Sequence, residues 1–422
     1  MRKYAKFNFV MIAAILLLWG CSSNEEVSNN DSSENNASIE KEDTSVSETS
    51  TVIEEVYSFE EEEGVKYDAI SINYDGSVVF FNKVDKSGEK EMTTPYFVYN
   101  GEVIDASTIG VYTDCRFYGI KATSTHYFEG RCKDETETNV SVVFNIEANE
   151  ISHSANSDYT LYALPTGKVL YIESYSDEGT IYELTDKGSS PFITINDMPT
   201  ILGFNFDQSG EIFFIYGAND DEWKAYTYDA SKDSDPVLFK AVPDDDEATT
   251  VEGQISPDGQ YIMYRLRGVS GGKHYNYVDS YIFNLQSEEE IHIGHGFGMN
   301  FVRPNGFVFD SVREYGQVIY DMGANRWFGY RGSDIKFFES VYKNEYLNET
   351  ERDLFSSSEF LALSGDGETV LTLDWFYGTD ESGNSVNEEK IQKISISDYI
   401  HFIESLDVEI DFIPSEFNEI GA

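Results

Sequence analysis

The stretch Glu252-Gly-Gln-Ile-Ser-Pro-Asp-Gly-Gln-Tyr-Ile-Met-Tyr264 decides the fold. It reads as a strand ending at Ile255, a tight turn at Ser256-Pro-Asp-Gly259, and a second, mostly apolar strand from Tyr261. Asp and Gly suit such a hairpin because glycine accepts φ > 0 without steric cost. The unit recurs as Ser71-Ile-Asn-Tyr-Asp-Gly-Ser-Val-Val-Phe80, Phe204-Asn-Phe-Asp-Gln-Ser-Gly-Glu-Ile-Phe-Phe214, Phe301-Val-Arg-Pro-Asn-Gly-Phe-Val-Phe309 and Phe360-Leu-Ala-Leu-Ser-Gly-Asp-Gly-Glu-Thr-Val-Leu371. Leu161-Tyr-Ala-Leu-Pro-Thr-Gly-Lys-Val-Leu-Tyr171 is a weaker copy. The turn glycines are Gly76, Gly167, Gly210, Gly259, Gly306 and Gly367, spaced about 43 to 49 residues apart from Gly167 to Gly306. The gap from Gly76 to Gly167 is two such periods and places a degenerate unit near Gly119. The gap from Gly306 to Gly367 is one period plus an insertion around Tyr330 to Ser357.

From about residue 64 onward, short runs of Val, Ile, Tyr, Phe and Thr alternate with polar residues and are broken by Gly, Asp, Asn and Ser. That is an all-β pattern; only Ser397-Asp-Tyr-Ile-His-Phe-Ile-Glu404 reads as a short capped helix. About four strands per period predicts a β-propeller of about seven four-stranded blades, with six or eight as alternatives and two stacked β-sandwiches as the rival architecture. Each such sheet has two apolar faces, and closing a ring buries both. A strand near residues 51–58 is expected to complete the last blade. Ser256-Pro257-Asp258-Gly259 resembles the repeat of TolB-like and WD40-like propellers, and the other units match it in part. The resemblance implies loops at two faces and a central channel, where such propellers hold partners.

At the N-terminus, Arg2, Lys3 and Lys6 precede an apolar run from Val10 to Trp19. The run is the size of a signal-peptide core, well short of the ~20 residues that span a membrane. Leu18-Trp19-Gly20-Cys21 then resembles the lipobox of bacterial lipoproteins. That resemblance implies cleavage before Cys21, a diacylglyceryl thioether on Cys21, and residence on the extracytoplasmic face of a cell membrane. Each acyl methylene contributes about 0.8 kcal/mol, so two or three chains anchor stably where one does not. The expected organisation is a signal peptide at 1–20, the lipidated cysteine with a disordered acidic linker at 21–55, and the propeller at 56–422. The linker follows from composition: it is Ser, Asn, Glu, Asp and Thr, with Lys41 its one base, and it cannot bury enough surface to offset its ordering entropy. With Cys21 assigned to lipid, Cys115 and Cys132 remain, as a disulfide or as two free thiols. Export favours the disulfide, which in the chain-entropy model contributes about 3 kcal/mol.

The chain has 77 acidic against 29 basic residues and a formal charge of −48. This argues against nucleic acid, whose binding rests on Lys and Arg at phosphates, and against docking on anionic lipid through a basic face. Literal motif matches read as ordinary structure. Gly268-Val-Ser270-Gly-Gly272 has the nucleophile-elbow pattern, but a strand follows it instead of a helix. His292 and His295 stand three apart on a strand and so face opposite ways. Asp244–Glu247 and Asn219–Glu222 read as solvated acidic turns. No metal, cofactor or catalytic set is therefore assigned. Tyr275, Tyr277, Trp375 and Tyr377 lie near loops and are candidates for stacking on a ligand. The leading reading is a non-catalytic binding or scaffold module, anchored through its N-terminal lipid, with a protein or glycan partner outside the cell. An exported carbohydrate-active or peptide-cleaving enzyme, and a ligand sensor or solute receptor, are the alternatives.

Overall fold

Four consecutive apolar residues, Val78-Val-Phe-Phe81, are all fully buried. A strand alternates its side chains between two faces, so such a run needs cover on both. The computed structural model supplies it: the described residues form seven antiparallel sheets, the blades of a propeller, and blade 1 packs between its two neighbours. The structure describes residues 54–59, 64–329 and 355–405, apart from short internal segments, of which 174–177, 244–249, 270–275, 296–302 and 380–384 are the longest.

Blade 1 is Val65–Ile72, Val78–Asp85, Met92–Tyr99 and Glu102–Asp105 (β2 to β5). Blade 2 is Thr113–Phe117, Tyr127–Lys133, Asn139–Asn145 and Glu150–Asn156 (β6 to β9). Blade 3 is Tyr159–Ala163, Val169–Glu173, Thr180–Thr185 and Gly188–Thr194 (β10 to β13). Blade 4 is Thr200–Phe206, Ile212–Ala218, Glu222–Asp229 and Val237–Pro243 (β14 to β17), and blade 5 is Thr250–Ile255, Tyr261–Val269, Asn276–Asn284 and Glu290–His295 (β18 to β21). Blade 6 shows three strands among the described residues, Phe307–Val312, Gly316–Asp321 and Arg326–Gly329 (β22 to β24). Its Gly306 turn precedes β22, and residues 296–302 lie outside the described residues. Blade 7 is Phe355–Leu363, Thr369–Thr379 and Ser385–Ser395 (β25 to β27), completed by Glu54–Phe59 (β1). β1 pairs with β27 from Glu54↔Lys393 to Phe59↔Glu389, so the first described strand closes the last blade. One helix follows, Ile396–Ser405 (α1). Ser395 caps it: its Oγ accepts the Asp398 N–H at 3.1 Å and donates to the Asp398 carboxylate at 2.8 Å, two residues before the expected start at Ser397.

The core lies between blades. Val78 and Phe80 face blade 2, packing with Phe97, Phe117, Phe128 and Phe144, while Val79 and Phe81 face blade 7 with Leu371 and Ile391. Phe213 faces blade 3 and Phe214 faces blade 5 in the same way. Each such side chain contributes about 1.5–3 kcal/mol by leaving water. First strands of neighbouring blades also meet, β14 with β18 and β2 with β25. Asn205 on β14 bridges to β18 of the next blade, donating to Gly253 O at 2.7 Å and accepting the Ile255 N–H at 2.8 Å. Exposed apolar residues include Val103, Val237, Leu238 and Ile291 on fourth strands, Met92 on a third and Leu202 on a first.

The expected turns share one geometry. In six of them the glycine N–H donates to the carbonyl three residues back, from Gly76 to Asn73 through Gly367 to Ser364, and every one of these glycines has positive φ. In four, the residue three before the glycine is a buried Asn, Asp or Ser: Asn73, Asp207, Ser256 and Ser364. Its side chain accepts the N–H that opens the second strand, as Ser256 Oγ does from Tyr261 at 2.9 Å. Turns also join across blades: Gln208 N–H donates to Pro257 O at 2.7 Å and Asp366 N–H to Tyr74 O at 2.9 Å.

Candidate functional site

Blade 2 departs from this pattern. β6 carries a bulge: two residues, Asp114 and Cys115, stand between the pairs Thr113↔Lys133 and Arg116↔Arg131, opposite Cys132 alone. Asp114 takes φ 50°, a conformation aspartate tolerates, and its carboxylate pairs with Lys133 Nζ at 3.0 Å. The bulge turns Cys115 toward Cys132, and the two form a disulfide, both buried in the layer between blades 1 and 2. β6 ends at Phe117 opposite Gly130, where any side chain would meet Phe117 and the Arg116 carbonyl at 2.7 Å. β7 runs on to Tyr127 beyond this last pair.

On β7, Phe128, Gly130 and Cys132 turn toward blade 1, so Glu129 and Arg131 turn toward blade 3. A cavity of about 330 Å³ opens there, lined by Gly119 to Lys121, Glu129 to Arg131, Ser141 of β8 and Tyr159 to Tyr162 of β10. Glu129 Oε1 accepts Lys121 Nζ at 2.7 Å and the Ala163 N–H at 2.9 Å, joining the blade-2 loop to the blade-3 first strand. Lys121 Nζ also stands 4.5 Å from the centre of the Tyr162 ring, a cation–π contact. Burial pushes the Tyr162 phenol well above its ordinary range, so it stays protonated at neutral pH. The loop is pinned from blade 1, where Ser71 Oγ accepts the Ile120 N–H at 2.9 Å. Ser141 Oγ donates to Tyr159 O at 2.7 Å across the two blades. Tyr159 begins a ladder of stacked rings on blade 3, with Tyr171 at 4.6 Å and Tyr182 a further 5.3 Å on. Arg131 is exposed and has no side-chain partner among the described residues.

The cavity residues are not among the sites named from sequence. Cys21, Tyr275, Ser270 and Asp244–Glu247 lie outside the described residues. Tyr277 lies on β20, and Trp375 and Tyr377 on β26; their side chains also lie outside the described set. Asn219 and Glu222 close a tight turn, with Glu222 N–H on Asn219 Oδ1 at 2.7 Å. His292 stacks against Tyr281 with ring centres 4.8 Å apart. Among the described residues no group of three or more His, Cys, Asp or Glu could hold a metal ion, and no helix is long and apolar enough to cross a membrane. The cavity residues were missed because no local pattern joins them. The available signal was the placement of Lys121 and Arg131, two cations close to the irregular unit of an acidic chain.

Sheets and connectivity define the class: a β-propeller with seven blades among the described residues, the last completed by the first described strand. No family model and no curated protein matches the chain. Among solved structures it is similar to a prolyl endopeptidase at 12% identity and TM-score 0.45, covering 78% of this chain and 50% of that one, so it spans about half that protein's length. It is similar to the β-propeller domain of the Trilobed protease from Pyrococcus furiosus at 9% identity and TM-score 0.35, covering 78% of this chain and 84% of that one. It is similar to TolB from Acinetobacter baumannii at 11% identity and TM-score 0.31, covering 78% of both chains. Likeness at this level concerns the fold and carries no statement about activity.

Proposed function

We propose that this chain is an extracytoplasmic, lipid-anchored binding module that takes its ligand or partner in the cavity between blades 2 and 3, without catalysis. The observation that carries the reading is the cavity between blades 2 and 3. It holds one carboxylate, Glu129, and that group's Oε1 is already engaged by Lys121 and the Ala163 N–H. Glycoside hydrolysis uses two carboxylates flanking the bond, and acyl transfer uses a nucleophile within reach of a base. The cavity lining contains neither arrangement. What it contains is aromatic surface and cations, which suit recognition. The Cys115–Cys132 disulfide fits an exported protein, since such bonds persist in oxidising compartments. The anchor rests on the Leu18-Trp19-Gly20-Cys21 sequence.

Two measurements test the reading. The purified domain is incubated with panels of polysaccharides and peptides; release of reducing ends or new amines would overturn the non-catalytic assignment. Full-length protein is fractionated from cells beside Cys21→Ala; the parent is expected in the membrane fraction and the variant outside it. Equal partitioning would overturn the lipid anchor.

A further inference from the structure

We infer that the cavity between blades 2 and 3 selects a small ligand carrying a carboxylate on a ring, and that Arg131 is its specificity-determining residue. The inference rests on the binding-module reading and names the ligand class. Charge supplies the first argument. Across the chain acids outnumber bases, 77 to 29, yet this cavity is lined by two cations, Lys121 and Arg131, and one carboxylate, Glu129. An anion approaching an acidic protein is disfavoured over most of its surface, so a local excess of positive charge is the place where it can settle.

The division of labour between the two cations is the second argument. Lys121 is committed to Glu129 and to the Tyr162 ring. Arg131 is exposed, lines the cavity, and has no partner among the described residues. A guanidinium presents two parallel N–H donors that match both oxygens of a carboxylate. Such a side chain standing free beside a cavity is an unfilled carboxylate receptor.

Shape supplies the third. Tyr159 lines the cavity and opens the stacked ladder that continues through Tyr171. Flat aromatic faces favour the flat or apolar face of a ring over an extended chain. The volume of about 330 Å³ is at the lower end of ligand pockets, so the bound portion is one ring in size. Sugar acids and aromatic acids both present this chemistry.

Calorimetric titration of the disulfide-intact domain tests the inference with four probes: D-glucuronate, benzoate, and their neutral counterparts D-glucose and benzyl alcohol. The expected result is saturable binding of at least one acid, weakened by added salt, with the matching neutral probe at least about tenfold weaker. Glucuronate alone binding identifies a sugar acid as the source, and benzoate alone an aromatic acid. Arg131→Gln is expected to lower acid affinity about tenfold or more at unchanged melting temperature, because Arg131 is exposed. Lys168→Met, which removes a cation paired with Glu183 on blade 3, is the control and should leave affinity unchanged. The inference is overturned if no acid binds at millimolar concentration, if inorganic phosphate displaces the acids, or if Arg131→Gln binds as the parent does. Neutral probes binding as tightly as the acids would remove the ligand class and leave the binding module standing. Chemical turnover of a bound probe would remove the binding-module reading itself.

Discussion

The turn of blade 5 and the corner of blade 2 occupy equivalent places in the propeller and spend their polar groups in opposite ways. At Ser256–Gly259 the groups are consumed locally. Ser256 Oγ accepts the N–H groups of Gln260 and Tyr261, Asp258 accepts Gln260 N–H, and the Pro257 carbonyl accepts Gln208 from blade 4. In blade 2 the first strand is bulged and ends at Phe117, and the loop that follows brings Lys121 against a residue on the second strand, Glu129. The regular turn yields a closed seam and the irregular one a cavity. In blade 2 the departure from the repeat leaves Arg131 without a side-chain partner among the described residues, whereas Gln208 Oε1, Gln254 Oε1 and Ser280 Oγ, buried with no hydrogen bond, fall in blades 4 and 5.

The sharpest way to separate the two regions is to damage each and read stability and probe affinity together. Phe214 is fully buried between blades 4 and 5, packed against Phe239 and over Gly253. Phe214→Ala should cost about 3–5 kcal/mol in urea unfolding, with carboxylate-probe affinity unchanged under conditions where the variant is folded. The double variant Cys115→Ala/Cys132→Ala removes a cross-link between residues 17 apart and should cost about 3 kcal/mol. Here probe affinity should fall as well, because the disulfide fixes the bulged strand that leads into the Lys121 loop. If stability drops and affinity does not, the loop is held by Ser71 and Glu129 alone. A smaller loss follows from Ser256→Ala. Tyr261 N–H loses its side-chain acceptor and Gln260 N–H keeps only Asp258, which should cost about 1 kcal/mol, with no effect on the cavity between blades 2 and 3.

How far the sequence was legible follows the same division. Gly259 is the clear case: its φ of 71° and the bond from its N–H to Ser256 O are what Ser-Pro-Asp-Gly predicts. Gly119 also has positive φ, at 107°, and sits in the degenerate unit inferred from spacing alone. The closing strand was legible too, since Val56, Tyr57 and Phe59 pack on the layer between blades 7 and 1. Less legible was the residue three before each turn glycine. Asn73, Asp207, Ser256 and Ser364 recur there, but a buried capping side chain reads in sequence like any loop polar group. The cavity was not legible. Lys121, Glu129 and Tyr162 come from a loop and from strands of two blades, and their meeting depends on the bulge at Asp114, which no local propensity specifies. The four aromatic candidates, chosen by residue type and nearness to loops, have side chains outside the described residues.

The seam between blades 3 and 4 offers the gentlest contrast with the cavity seam beside it. There a carboxylate closes the gap: Asp197 accepts Tyr226 OH at 2.7 Å and Lys224 Nζ at 3.2 Å. The Tyr226 hydrogen bond, reinforced by Lys224, holds the Asp197 carboxyl below the usual aspartate range. A depressed folded-state value means that the stabilisation is present above the unfolded aspartate pKa of about 3.9 and is lost as pH falls through the folded value. Asp197→Asn should therefore be less stable than the parent near neutral pH, and the two should converge as pH falls through the folded Asp197 value. The Asp197 side chain is 62% exposed, so solvent screens the contacts and this effect should be the smallest of the four. Urea midpoints taken across the acid range check it. A gap between the two proteins that stays constant with pH would show that the asparagine changes packing at the seam, and that charge on Asp197 does not hold it closed.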